Sequence, residues 1–97
     1  MATTAILDLK LKQDGLEQTH AAIAQALGDT RAYDGCLGAD AYVDDDDPSH
    51  VILVETWAQR ADQERYMQWR QGTGVLDAMS ELLERPIAVA LCSRLGE

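Results

Sequence analysis

Apolar and polar residues alternate from the start of the chain. In AILDLKLK, residues 5–12, Leu7, Leu9 and Leu11 fall on one face and Asp8, Lys10 and Lys12 on the other, the period-two pattern of a half-buried strand. After a Gln13-Asp14-Gly15 turn, Leu16, His20, Ile23 and Leu27 recur at spacings of four, three and four, which aligns them on one stripe of a helix expected to end near Gly28. Period two returns at residues 36–43, where Leu37, Ala39, Ala41 and Val43 oppose Cys36, Gly38, Asp40 and Tyr42, predicting a second strand. Residues 44–49 read as a polar connector containing Pro48. VILVETW, residues 51–57, is apolar on both faces for most of its length and fits a central strand covered on both sides. Residues 61–71 look helical, and Gly72 and Gly74 interrupt them. Val75, Leu76, Met79, Leu82 and Leu83 mark a further amphipathic helix stopped by Pro86. Residues 87–95 alternate Ile87, Val89 and Leu91 with Ala88, Ala90 and Cys92, predicting a fourth strand.

The order β-α-β-β-α-β is the split βαβ, or ferredoxin-like, pattern. It predicts an α+β domain spanning residues 1–97, with a four-stranded antiparallel sheet in the order 4-1-3-2. Right-handed crossovers place the helices on one face of that sheet. The other face then exposes either Ile52 and Val54 or Val51, Leu53 and Trp57 of the third strand, more apolar surface than soluble monomers usually show. A second copy of the chain is the economical cover, so a homodimer is expected.

Composition narrows the function. The chain has 97 residues, 17 acidic against 8 basic side chains and a net charge of −9, which repels nucleic acid and anionic membranes. The apolar start is broken by Asp8, Lys10 and Lys12, unlike a secretory signal or a membrane span, so a cytoplasmic protein is expected. Cys36 and Cys92, the two cysteines, are too few for a disulfide framework and lack zinc-type spacing. They are expected as free thiols on opposite edges of the sheet.

Phosphate loops, nucleophile elbows and metal-spaced His/Cys clusters are absent from the sequence. Trp57, Tyr66 and Trp69, three of the five aromatics, lie within thirteen residues and could line one pocket with Leu53 or pack as ordinary core. His20, on the apolar stripe of the first helix, is either a satisfied core histidine or a proton-transfer group. His50 is expected to be solvated. Glu55, on an otherwise apolar strand, needs Arg60, Arg65 or Arg70 as a partner if buried. Asp44–Asp47 lacks calcium-loop spacing and reads as a solvated connector, with no metal site.

Residues 34–69, DGCLGADAYVDDDDPSHVILVETWAQRADQERYMQW, resemble the antibiotic biosynthesis monooxygenase family. The resemblance rests on Gly35-Cys36 opening one strand, Asp47-Pro48 in the connector and Glu55-Thr56-Trp57 ending the next strand. It implies two sheets packed in a dimeric α/β barrel. Heme-degrading members pair a first-strand Asn and a third-strand Trp with an iron-ligating His on the following helix. Here Asp8 and Trp57 take the first two places, and the third falls near Tyr66 or Met67, so the heme ligand is missing. Many quinol-type members also carry that His, where this chain has Tyr66. The Asn and Tyr that flank the Trp in some polyketide-tailoring members correspond to Leu53 and Gln63.

The function that follows from the resemblance is cofactor-independent monooxygenation of a quinol, phenolic or polyketide-like aromatic, with the deprotonated substrate itself giving an electron to O₂. Trp57, Tyr66, Trp69 and Leu53 are the expected pocket wall. His20, Asp8 and Asp40 are the candidates for proton transfer, and Arg70 for holding a phenolate. The alternative is a non-catalytic dimer of the same type that binds a small hydrophobic ligand or serves as an interaction module.

Overall fold

The computed structural model describes residues 1–96; Glu97, the last residue of the expected domain, lies outside them. Its elements are β1 (Thr3–Lys10), α1 (Leu16–Ala32), β2 (Cys36–Asp44), β3 (Asp47–Trp57), α2 (Arg60–Thr73), α3 (Val75–Ser80) and β4 (Ala88–Cys92). The strands form one antiparallel sheet in the order β2-β3-β1-β4, the arrangement expected of a ferredoxin-like fold. Cys36 and Cys92 are free, on the two edge strands.

Register decides which face each residue serves. β1 pairs with β3 so that Ala5 meets Glu55, Leu7 meets Leu53 and Leu9 meets Val51. These residues point toward the helices: Ala5, Leu7, Leu9 and Val51 form the core with Leu11, Ile23, Trp57, Tyr66 and Leu83, Leu53 packs against it, and Glu55 is buried on the same face. The intervening pairs, Ile6 with Val54 and Asp8 with Ile52, point to the face without helices. Burying one such apolar side chain is worth about 1.5–3 kcal/mol, so the inward set fixes the register.

Three expectations need correction. The buried stripe of α1 is Thr19, Ile23, Leu27 and Thr30, and the helix runs past Gly28 because Thr30 has bonds to make with α2. The polar connector is shorter than expected: only Asp45 and Asp46 separate β2 from β3. Pro48 sits in the first turn-proximal residues of β3, before the register with β1 begins at His50, where a missing N–H costs no ladder bond. The second amphipathic helix is only six residues long. Its expected continuation bonds instead to the end of β1, with Lys12 N–H donating to the Leu82 carbonyl (2.9 Å) and Glu84 N–H to the Lys10 carbonyl (2.8 Å). Leu82 therefore lies in a turn and Leu83 in an isolated bridge to Leu11, from which its side chain enters the core.

Candidate functional site

A cavity of about 60 Å³ lies between the helix-bearing face of the sheet and the helices. Its walls are apolar, from Leu7, Leu9 and Leu53 of the sheet, Ile23 and Leu27 of α1, and Val75, Leu76 and Met79 of α3. Polar groups converge at one end: Thr30, Glu55, Tyr66 and Arg70. An apolar pocket with a few placed polar groups is the usual form of a small-molecule site.

Three of these groups satisfy one another. Arg70 is buried, donating from Nε to the Tyr66 hydroxyl (2.7 Å) and from Nη2 to the Ala26 carbonyl (2.8 Å) and Thr30 Oγ1 (3.3 Å). The Tyr66 and Thr30 oxygens are 2.6 Å apart, and Thr30 Oγ1 donates to the Ala26 carbonyl at 3.3 Å. One proton arrangement fits all of these bonds: the Tyr66 hydroxyl donates to Thr30 and accepts from Arg70. The guanidinium also stacks near the Tyr66 and Trp69 rings, 5.3 and 5.0 Å from their centroids, a favourable cation–π placement.

Glu55 differs from its neighbours. It is 3% exposed, and its side-chain bond is the one accepted by Oε1 from the Trp57 indole N–H, at 3.3 Å. Burial pushes its carboxyl above the usual carboxylate range, opposed by the Trp57 bond and by the Arg70 charge. The partners expected among Arg60 and Arg65 are taken by their own helix: Arg60 pairs with Glu64 and Arg65 with Asp62. Among the described residues Glu55 has no ion-pair partner within 4.0 Å.

The expected site residues divide between the two faces of the sheet. Leu53, Tyr66 and Arg70 line the cavity. Trp57 is fully buried behind them, its ring 5.0 Å from that of Tyr66, so it supports the wall rather than forming it. Trp69 is 41% exposed and stands outside the cavity, in an aromatic cluster completed by Tyr33, whose ring is 5.3 Å from Tyr66 and 5.4 Å from Trp69. Asp8 and Asp40 are opposite Ile52 and Val54 in the register, on the far face of the sheet, and cannot move a proton in this cavity. Asp8 instead binds His50 (3.0 Å) and Arg85 (3.4 Å), and Asp40 faces Arg31 at 3.6 Å. His20 stands off the buried stripe of α1, where its Nε2–H donates to the Pro48 carbonyl at 2.7 Å. His50, expected to be solvated, is held between two carboxylates. Among the cavity residues, Ala26 and Thr30 of α1 were not singled out in the sequence, and Glu55 was expected with an arginine partner rather than as an unpaired acid.

The family model described as antibiotic biosynthesis monooxygenase matches residues 3–81. A crystal structure of an antibiotic biosynthesis monooxygenase superposes with a TM-score of 0.87 at 20% identity, covering 97% of this chain and 99% of that one. Rv0793 from Mycobacterium tuberculosis is 26% identical, with a TM-score of 0.77 and coverage of 100% and 98%. A mutant of SnoaB, a cofactor-independent oxygenase from Streptomyces nogalater, has a TM-score of 0.85 at 9% identity, covering 99% and 95%. No curated protein sequence matches the chain significantly.

Proposed function

The chain belongs to the antibiotic biosynthesis monooxygenase family, and from that premise we propose that it is a cofactor-independent monooxygenase acting on a quinol, phenolic or polyketide-like aromatic in the cavity between sheet and helices. The observation that carries the reading is the cavity itself: apolar walls closing on Glu55, Tyr66, Thr30 and Arg70. Such a site suits a flat hydrocarbon framework with an acidic hydroxyl at one end. The SnoaB structure, that of a cofactor-independent oxygenase, shares the fold, and this supports the reaction class.

For an anthrone-type substrate the chemistry balances without a cofactor. The ring CH₂ and one O₂ give a ring C=O and one H₂O, with the electrons supplied by the deprotonated substrate. The protein's tasks are to bind the substrate, remove a proton, hold the anion beside Arg70 and exclude bulk water. Tyr66 stands at the position near which heme-degrading relatives present a ligating histidine, and it is engaged with Thr30 and Arg70, which argues against heme degradation.

The cavity has the size of a few water molecules, so an aromatic ligand requires its outer wall to move. The part suited to move is α3, which has no buried residue and begins at Gly74 with φ 82°. The bare face of the sheet supports a homodimer. Ile6 is 37% and Tyr42 57% exposed there, beside half-buried Ile52 and Val54.

The rival reading, a non-catalytic dimer that holds a small hydrophobic ligand, draws on the mutual satisfaction of Tyr66, Thr30 and Arg70. Oxygen uptake separates the two. Metal-free protein mixed with a hydroxyanthrone or a substituted hydroquinone should consume O₂ above the buffer rate and saturate in substrate. Binding without uptake would establish the rival.

A further inference from the structure

The cavity's polar end contains one acid whose valence is not used up. All fully buried side-chain oxygens and nitrogens of the described, non-exposed residues have hydrogen-bond partners, and the partner of Glu55 is on Oε1. Its Oε2, which has no bond, is therefore not fully buried, and Glu55 lines the cavity. Tyr66 and Thr30 are committed to each other and to Arg70, while His20, Asp8 and Asp40 lie elsewhere. The Trp57 indole fixes the carboxyl from the core side, as an orienting donor does for a catalytic base.

We infer that Glu55 is the general base of this site, accepting through Oε2 the proton of a phenolic or enolic hydroxyl bound in the cavity; the assignment rests on the oxygenase reading. In that step the substrate O–H bond breaks, its electron pair stays on the substrate oxygen, and an O–H bond forms on Glu55. No electron passes between protein and substrate. The subsequent oxidation uses O₂, and the proton on Glu55 returns to the reduced oxygen as water leaves. The substrate class narrows to planar, largely apolar compounds with one ionisable hydroxyl at the end facing Glu55 and Arg70. A compound whose hydroxyls are all methylated should bind without reacting.

Burial places the carboxyl above its ordinary range, nearer the pH at which a base is most effective. A base works when ionised, so kcat/KM should rise with pH through the pKa of Glu55, above its usual 4.5. Glu55→Gln keeps the shape and an acceptor for Trp57. It should lower kcat with the hydroxyanthrone about a hundredfold or more, remove the rising limb and leave binding, read by tryptophan fluorescence, within threefold. Acetate should partly restore the rate of Glu55→Ala, which a structural role does not allow. Wild-type rates in Glu55→Gln would overturn the assignment and leave the oxygenase reading intact. If Glu55→Gln fails to fold, the wild-type profile decides: a rate flat from pH 4.5 to neutrality overturns it. If the wild type takes up no oxygen, the oxygenase reading fails and 4-nitrophenol binding tests Glu55 alone. Affinity that weakens as pH falls through the Glu55 pKa in wild type but not in Glu55→Gln keeps it as the proton acceptor; identical pH dependence in both overturns it.

Discussion

His50 is bonded through both ring nitrogens, with Nδ1 2.9 Å from an Asp44 oxygen and Nε2 3.0 Å from an Asp8 oxygen. Both nitrogens donate only in the imidazolium form, so the two carboxylates raise the pKa of His50 above 6.5, the Asp44 bond contributing most. The sign of the linkage follows. Stability from this proton is fully present below pH 6.5 and is lost as pH rises through the higher folded-state pKa. Asp8 and Asp44, both lowered by the His50 bond, contribute at the opposite end, losing stability only as pH falls below 3.8. In His50→Gln the decline of the urea midpoint as pH rises above 6.5 should disappear; an unchanged decline would show that His50 is not its source. This clamp was not legible in the sequence, because Asp8 is 42 residues away and only the strand register joins the two. Glu55 was half legible. Its alternation with Trp57 put the two on one face without saying which, three nearby arginines suggested a salt bridge, and two of these pair with acids one helical turn away, where the geometry is ready-made.

At the scale of elements, the alternating strands could be read directly, since period two states both the conformation and the face. What could not be read were the boundaries set by distant bonds: α1 continues to reach α2 through Thr30, and the segment after α3 leaves the helix to pair with β1. The Gly35-Cys36 step shows the reverse case, a local motif with a structural cause. Gly35 has φ 94°, and a side chain there would collide with that of Asp62. Asp62 in turn accepts the Gln59 N–H at the start of α2 (3.1 Å) and pairs with Arg65, while the Gly35 carbonyl accepts the Ala58 N–H at 2.8 Å. Gly35→Ala should therefore combine a left-handed backbone penalty of about 1–2 kcal/mol with disturbance of a helix cap worth about 1 kcal/mol. The expected result is a melting midpoint lower by at least about 8 °C. An unchanged midpoint would mean that neither the turn nor Asp62 constrains this junction.

For the whole molecule, the two faces of the sheet have separate tasks, and Trp57 assigns them. Once its ring enters the core, Val51, Leu53 and Glu55 follow it toward the helices, leaving Ile6, Ile52 and Val54 on the face without helices. The sequence presented these as two equivalent sets; the aromatic cluster of Tyr33, Tyr66 and Trp57 on the helix side breaks the tie. Two subunits of charge −9 repel each other on approach, and salt screens that repulsion. Sedimentation should thus show a homodimer that tightens with ionic strength and is lost in Ile52→Lys. A monomer at all salt concentrations would refute the assembly. No helix of the described residues is long and apolar enough to cross a membrane.

Oxygenation in the cavity is tested most directly by supplying ¹⁸O₂ with a hydroxyanthrone to the metal-free wild type and to Ala26→Leu, which fills the space beside Tyr66 and Arg70. One labelled oxygen should appear in the product ketone and the other in water, formed by the wild type above the buffer rate and by Ala26→Leu near it. Labelled product at the buffer rate with both proteins, or at the same enhanced rate with both, would contradict it.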